Sequence, residues 1–229
     1  MKKLLDSAVL NNISWCGMVG ETHGISHILK GNIWGMMSEA PPYYPDLITL
    51  SNHTTLKEVM DSIGERNIKS LKDSFASLHL EPYSFRVLFD AEWIFHPPCI
   101  LGKKIDFNWT TITTKDELTR WNMANGTERI ILPSILKKED VKVFIHENGG
   151  RLSGFIAHVG ADVVGVSNVF SAEYSDGNIW KEIVRVASTQ FPDLYLVGYE
   201  REDELRNAIS SGWKSLGPLK VWINTVGSE

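Results

Sequence analysis

Cysteine and long apolar runs are both scarce in this sequence of 229 residues, and each shortage excludes a class of protein. The two cysteines, Cys16 and Cys99, lie far apart and outside any CxxC motif, which argues against a disulfide framework and a cysteine-based zinc site. No stretch approaches the roughly 18 apolar residues that a membrane-spanning helix needs. The basic start Met1–Asp6 is not followed by the apolar core of a signal peptide. We therefore expect a cytoplasmic protein without a membrane partner.

Positive charge is also in short supply. The net charge is −5 and the isoelectric point is near 5.8. A general nucleic-acid-binding protein normally carries a basic stripe, and the sequence has none. Hydrophobic residues make up 43% of the chain, as in ordinary globular proteins, and the length allows one large domain or two small ones. Small molecules or proteins are the expected partners, and the oligomeric state stays open.

The second half of the sequence alternates between helix and strand patterns. Residues Thr114–Glu117 are typical of a capping box, which predicts a helix ending near Gly126. Alternating polarity and the turn at Asn148–Gly150 then predict an antiparallel meander of three strands, at Val141–Glu147, Arg151–Val159 and Val163–Ser171. Helix, strand, helix and strand are expected to follow, at Trp180–Phe191, Leu194–Tyr199, Glu202–Ser211 and Leu219–Asn224.

The first half carries fainter patterns. Three strands are expected, at Ile33–Ser38, Leu47–Ser51 and within Phe85–Phe95. A second capping box, Thr55–Glu58, predicts a helix that runs to about Glu65. The linker-like Gly102–Lys104 indicates a boundary near residue 105, so we expect domains at 1–105 and 106–229.

A short internal echo links the two halves. The strands Leu47–Ser51 and Val163–Ser171 both end in Ser, and the helix after each starts with an apolar residue, Lys, Glu and a β-branched residue. Coincidence is the competing explanation, because few positions match. If the echo is genuine, both halves descend from one ancestral unit.

The order of elements in the second half resembles the GNAT superfamily of N-acetyltransferases. The short matches that carry the resemblance are Gly154–Ala157, Val164–Ser171, Leu194–Val197 and Ser211–Gly217, within about residues 109 to 225. The first half resembles a second, more diverged copy. The resemblance implies an α/β (α+β) fold with a mixed sheet, an antiparallel meander and tandem GNAT-like halves. It also implies acetyl-CoA as a substrate and an amine of a small molecule or protein as the acceptor.

The resemblance also implies where acetyl-CoA would bind. Pantetheine would meet backbone groups of Val169, Phe170 and Ser171, in the strand that splays from its neighbour. The pyrophosphate would meet the loop and helix start within Tyr174–Lys181, where bare N–H groups and the helix dipole favour an anion. The cofactor-binding candidates in that segment are Gly177, Asn178, Ile179, Trp180 and Lys181.

Two departures from the family's pattern bear on activity. The phosphate loop keeps only Gly177 of the usual glycines, and Asp176 adds a negative charge beside the phosphates. Trp180 either shapes an unusual acyl-binding pocket, or it plugs the phosphate site and packs as the first residue of the helix's apolar stripe. Ala208 stands where many members have a tyrosine that protonates the leaving thiolate, so Tyr199 becomes the candidate acid. Its neighbour Glu200 is the candidate base for an amine.

Two polar or aromatic clusters in the first half are candidate substrate-binding segments. His23 and His27 are spaced i, i+4 and would share one helical face, either as metal ligands or as the lining of a substrate pocket. Without a third ligand we expect no metal. Tyr43 and Tyr44, in Pro41–Pro45, lie either in a loop that reaches over the cleft between the halves or in a rigid surface connector. The alternative to an acetyltransferase is a catalytically inactive GNAT-like protein that binds a ligand or partner in that cleft.

Overall fold

The computed structural model describes residues 1–64, 66–99, 108–172 and 178–225. The first half of the chain forms two α-helices and five strands in the order α1 (Lys2–Thr22), β1 (His27–Lys30), β2 (Ile33–Met36), β3 (Leu47–Thr49), α2 (Leu56–Ile63), β4 (Ser70–Asp73) and β5 (Phe85–His96). The second half continues with β6 (Trp109–Thr111), α3 (Lys115–Asn125), β7 (Val141–Asn148), β8 (Arg151–Gly160), β9 (Val163–Ser171), α4 (Asn178–Gln190), β10 (Tyr195–Glu200), α5 (Glu202–Ser210) and β11 (Lys214–Asn224).

All eleven described strands join one mixed sheet, in the order β1-β2-β3-β4-β11-β5-β10-β9-β8-β7-β6. Each half contributes one parallel pair, β3 with β4 and β9 with β10, and a helix connects the two strands of each pair. The long strands β5 and β11 pair antiparallel in the centre. The chain thus repeats one arrangement twice, and the predicted mixed α/β fold with tandem halves is confirmed.

The central strands are exchanged between the halves. Strand β11, from the second half, lies between β4 and β5 of the first half. Strand β5, from the first half, lies between β11 and β10 of the second half. The internal echo of the sequence falls on equivalent places of this repeat, because it spans β3 with α2 and β9 with α4.

The sheet has helices on both faces, and alternation along its central strands separates two apolar layers. Trp93 and Val197 pack with α1, whereas their neighbours Ile94 and Leu196 pack with α4 and α5. Helix α1 crosses the sheet and contacts β2 of the first half as well as β8, β9, β10 and β11 of the second half, so it touches strands of both halves. No helix in the described ranges is long and apolar enough to cross a lipid bilayer.

The local predictions hold best where capping and strand alternation are strong. Both capping boxes are confirmed, with Thr55 and Glu58 at the start of α2 and Thr114 and Glu117 at the start of α3. The meander is confirmed as β7, β8 and β9. Helix α1 and the short strands β1, β4 and β6 were not expected from the sequence. The last strand begins earlier than expected, at Lys214.

Candidate functional site

Strands β9 and β10 separate partway along their length, and this opening locates the site. Their parallel pairing covers three residue pairs and stops at Val197 and Gly165. Strand β9 then follows β8 as far as Ser171, while β10 follows β5 as far as Glu200. Beyond Gly165, the β10-facing edge of β9 therefore has no strand partner among the described residues.

A β-bulge accompanies the separation of the two strands. The register between β8 and β9 shifts between Gly154, which faces Phe170, and Ile156, which faces Ser167. Asn168, inside the shift, has a φ of 53°, a conformation that asparagine tolerates better than most residues. A bulge bends its strand and increases the local twist, so it directs the end of β9 away from β10.

A cavity of about 210 Å³ lies at the opening, beneath α1. Its walls come from both halves of the chain: α1 supplies Asn11, Asn12 and Cys16, β4 supplies Lys72, and β10 supplies Tyr199 and Glu200. The bulge of β9 forms another wall through Ser167 and Asn168. Polar groups from distant parts of the sequence thus converge on one small space, as in a typical small-molecule site.

A larger cavity of about 550 Å³ adjoins the first. The loop Pro41–Pro45 borders both cavities, as do Lys72 and Tyr199. Tyr43 is 82% exposed, whereas Tyr44 is half-buried and its hydroxyl lies close to the side chains of Asn168 and Trp15. Burial raises the pKa of Tyr44, so its hydroxyl stays protonated. These contacts match the interpretation of Pro41–Pro45 as a loop over the cleft.

Tyr199 and Glu200 end β10 at the mouth of the cavity. The ring of Tyr199 packs edge-to-face on Trp93, with ring centroids 5.5 Å apart. Burial and, secondly, repulsion from Glu204 raise the pKa of Glu200 to about 8, although Arg201 opposes the shift. A carboxyl group with a pKa near neutrality exchanges protons readily at physiological pH, which suits a general base.

The wall opposite β9 carries a buried cation and a thiol. Lys72 is 2% exposed, and its Nζ donates to Asn12 Oδ1 at 2.9 Å and lies 4.1 Å from the ring centroid of Tyr199. Cys16 is fully enclosed, and burial raises the pKa of its thiol although the charge of Lys72 opposes the shift. Cys16 is therefore a neutral thiol rather than a nucleophile.

His158 is a further buried polar residue of the cavity wall. It is 2% exposed, and its Nδ1 has no hydrogen-bond partner in the described structure. Burial lowers the pKa of His158 from 6.5 to about 4, against the attraction of Asp140. Above it, the Asn11 amide donates to the carbonyls of His158 and Gly160, both at 3.1 Å, and joins α1 to the β8–β9 hairpin.

The residues expected to bind pantetheine lie in β9 next to the cavity, not in its walls. Val169 packs against the core beneath α4 and α5, and Phe170 packs edge-to-face on Trp121 at 5.3 Å. The hydroxyls of Ser171 and Ser153 lie 2.9 Å apart. All three residues follow the bulge, on the part of β9 that β10 has left, so their backbone groups remain candidates for an added-strand interaction.

The phosphate-binding prediction falls partly outside the described residues, which omit 173–177 and therefore Gly177 and Asp176. Helix α4 begins at Asn178 beside the opening. Ile179 and Trp180 are 3% and 1% exposed, so their side chains belong to the core and cannot line a phosphate site. Only backbone N–H groups of these two residues are available to a ligand, whereas the side chain of Lys181 is exposed.

Trp180 fills the core rather than the opening. Its ring packs edge-to-face on Trp213 with centroids 5.3 Å apart, and its Nε1 donates to Glu204 at 3.1 Å. The ring points toward α5, which favours the interpretation of Trp180 as the first residue of the helix's apolar stripe over an acyl pocket. Ala208 is also fully buried, so the place of the usual tyrosine lies inside the same core.

The expectation that His23 and His27 share a helical face is wrong. Helix α1 ends at Thr22, Gly24 follows with a φ of 74°, and His27 begins β1. His23 Nε2 is hydrogen-bonded to the Ile130 carbonyl at 2.8 Å, whereas His27 packs against Trp34 with the ring planes tilted by 35°. Neither histidine lines the two cavities. No group of three His, Cys, Asp or Glu side chains forms a candidate metal site in the described residues.

An acyl-CoA fits the described opening in two respects. The unpaired edge of β9 offers backbone groups to an extended chain with amides, and the 13-residue helix α4 starts beside it with its positive dipole end. The polar cavity lies at the inner end of the same opening. The described residues therefore fit an extended chain with amides along β9 and an anion at the start of α4.

A mixed sheet with a bulged strand, a splayed parallel pair and a helix starting at the splay defines the GNAT fold, and this chain has it. A conserved protein of unknown function from Staphylococcus epidermidis is similar, with a TM-score of 0.60, 8% identity and coverage of 87% of this chain and 94% of that one. A protein of the GNAT acetyltransferase family from Novosphingobium aromaticivorans has a TM-score of 0.59, 12% identity and coverage of 95% and 99%. No protein-family model and no curated protein matches the sequence.

Proposed function

We propose that the protein transfers an acetyl group from acetyl-CoA to an amine, with Glu200 as the general base and Tyr199 as the acid. The observation that carries the proposal is the position of Glu200, with a pKa near 8, at the mouth of a polar cavity where β9 and β10 separate. The likeness in fold to a GNAT-family protein supports the same reaction class.

Acetyl-CoA would supply a thioester whose carbonyl carbon is open to attack. Ionised Glu200 accepts a proton from the ammonium group of the acceptor, which frees the nitrogen lone pair. The nitrogen bonds to the carbonyl carbon as the carbon–sulfur bond breaks, and the thiolate takes a proton from the Tyr199 hydroxyl. The tyrosinate then takes the second proton of the acylated nitrogen, and Glu200 releases its proton to solvent, which leaves a neutral amide and a free thiol. Backbone groups of Val169–Ser171 hold the pantetheine, and the N–H groups that start α4 face the pyrophosphate.

Acetyl-CoA binding is the first test of this proposal. Titration should raise the melting temperature progressively, because a ligand that binds only the native state stabilises it by mass action. A set of amines is then added, and release of the CoA thiol is followed together with acetylation by mass spectrometry. A melting temperature that stays constant at millimolar acetyl-CoA contradicts the proposal. Binding without release of CoA, for every amine, indicates instead a non-catalytic ligand-binding protein.

The pH dependence of transfer tests the role of Glu200. Because the base must be ionised, kcat/KM should rise with pH to a midpoint near 8, the pKa of Glu200. Glu200→Gln should lower kcat/KM by about 10²- to 10⁴-fold and abolish the rise of kcat/KM with pH, while acetyl-CoA binding stays intact. Glu202→Gln, which changes a neighbouring carboxylate that is 76% exposed, is the matched control and should behave as the wild type.

A further inference from the structure

Lys72 is a lysine buried at the junction of the two cavities. It lies on β4, in the first half of the chain, yet its ammonium group reaches the ring of Tyr199 on β10. Only 2% of the residue is exposed, and it lines both cavities. Lysine is rarely buried in this way unless something pairs with its charge.

The partners of the Lys72 ammonium group are all neutral. One of its three N–H donors is taken by Asn12 Oδ1, and the face of Tyr199 provides a cation–π contact. None of the ion pairs found among the described residues includes Lys72. The neighbouring Cys16 thiol has a raised pKa and provides no negative charge.

A buried cation without a counter-charge is costly to the fold. An apolar residue of similar size at such a position is commonly neutral or stabilising, so the fold itself gains nothing evident from the charge. A ligand with an anionic group would offset the free energy of burying the ammonium group, because charge-assisted hydrogen bonds are strong inside a low-dielectric site. Asn12 takes one of the three N–H donors, and Lys72 lines both of the cavities that such a ligand would enter.

The larger cavity indicates the rest of that ligand. Its walls are mainly apolar, with Pro41 and Pro42 from the loop, Leu88 and Phe89 from β5, and Val221 and Ile223 from β11. The smaller cavity shares Lys72 and Tyr199 with the larger one and is also lined by Glu200. An apolar group in the larger cavity, an anion at Lys72 and an amine near Glu200 would thus occupy both adjoining spaces.

We propose that Lys72 binds a carboxylate or phosphate group of the acceptor, which is therefore an acidic amine with an apolar body. The identity of this ligand as the acceptor rests on the proposed acetyl transfer, whereas the anion site itself does not. The anion neutralises Lys72 in place, and the ion pair holds the apolar group in the larger cavity and the amine at Glu200.

Calorimetric titration with matched small probes tests the anion site directly. L-phenylalanine carries both charges, L-phenylalaninamide lacks the carboxylate, and 3-phenylpropionate lacks the amine; phenyl phosphate replaces the carboxylate by a phosphate. We expect the acidic probes to bind the wild-type protein, and L-phenylalaninamide to bind at least about tenfold more weakly. The affinities of 3-phenylpropionate and phenyl phosphate then tell whether the site prefers a carboxylate or a phosphate. Equal affinity for L-phenylalaninamide, or no binding of any acid at millimolar concentration, overturns the inference.

Lys72→Met and Lys57→Met separate this site from a general effect of charge. Lys57 lies outside the lining of both cavities, and its side chain is 83% exposed and paired with Asp61. Lys72→Met should lose about 10- to 100-fold in affinity for the acids and keep or raise the melting temperature, whereas Lys57→Met should bind as the wild type. A lower melting temperature with unchanged affinity for acids would assign Lys72 to the fold instead.

Acetyl-CoA titrations of the same variants separate this inference from the proposed function. If acids bind through Lys72 but acetyl-CoA has no effect, the proposal of acetyl transfer is wrong and the anion site is supported. If L-phenylalaninamide is acetylated as fast as L-phenylalanine is, the proposal of an anion site is wrong and acetyl transfer is supported.

Discussion

His158 shows what burial does to one imidazole of the cavity wall. The residue lies in β8 behind Asn11, its Nδ1 has no partner in the described structure, and water cannot solvate the charged ring. Its pKa is therefore lowered from 6.5 to about 4, and the ring is neutral at physiological pH. In this state one ring nitrogen is an acceptor, which leaves the cavity wall uncharged on this side.

His158 should make the protein sensitive to acid. The folded pKa of about 4 lies below the usual 6.5, so the unfolded state binds the extra proton in this window. The free energy of unfolding should fall by about 3 kcal/mol through this residue as pH decreases from 7 to 4. Urea unfolding at both pH values should show a smaller decrease for His158→Gln. His53→Gln, on the surface, should keep the wild-type decrease; equal decreases in all three proteins contradict the expectation.

The sequence predicts those candidate site residues that lie beside a recognisable local pattern, such as the end of a strand or a proline-rich loop. Tyr199 ends a predicted strand and Glu200 follows it directly, and Tyr43 and Tyr44 lie in a proline-rich loop, so each can be singled out from its neighbours. Lys72 and His158 lack such a signal, because a buried polar residue inside a strand looks like an exposed one. The only hint for His158 is its place in an otherwise apolar run, from Gly154 to Val159.

At the scale of elements, α1 shows why a helix can be missed by a prediction from its sequence pattern. Buried positions along it recur at helical spacing, yet one of them is the polar Asn11, and no side-chain cap marks its start. Asn11 is buried because its amide satisfies carbonyls of the β8–β9 hairpin more than 140 residues later in the chain. A contact at that distance leaves no local signature, so the roof of the cavity could not be predicted from the sequence.

The bulge of β9 should control how far the two strands open. Asn168→Gly keeps the positive φ without steric cost and should preserve both the fold and acetyl-CoA binding. Asn168→Val should cost about 1–2 kcal/mol of unfolding free energy, because a β-branched residue is strained in this conformation. It should also weaken acetyl-CoA binding by straightening β9.

Chemical unfolding and acetyl-CoA titration of the two Asn168 variants provide the measurements. Both variants lose the hydrogen bond from Asn168 Nδ2 to Ser167 Oγ, so the difference between them isolates the backbone conformation. Equal acetyl-CoA affinity of the Gly and Val variants would mean that the bulge does not set the opening.

At the scale of the whole molecule, the exchange of β5 and β11 joins what the sequence presents as two separate parts. The linker-like composition near residue 105 indicates a boundary, and the domain division at 1–105 and 106–229 stays a prediction. Hydrogen bonds of β5 nevertheless run to β10 and β11 along most of its length. Strand order of this kind depends on pairing between distant segments, which composition and periodicity do not encode.

Separated halves should fail to fold alone. Without β11, a fragment of residues 1–99 leaves a gap between β4 and β5, and without β5 a fragment of residues 108–229 leaves one between β10 and β11. Each fragment alone should show little protection in hydrogen exchange, and co-expression should restore one complex with the thermal unfolding of the intact chain. A cooperative unfolding transition in either isolated fragment would contradict this expectation.

The same exchange has a consequence for the order of events during synthesis. Strand β4 emerges from the ribosome early, but its hydrogen-bonding partner β11 is translated only after α3, α4 and α5. Until β11 is made, the first half therefore has an unpaired strand edge at β4. Pairing between strands so far apart in the sequence raises the contact order of the fold, which slows folding. Lys72 lies on β4, so the anion site is completed among the last parts of the molecule.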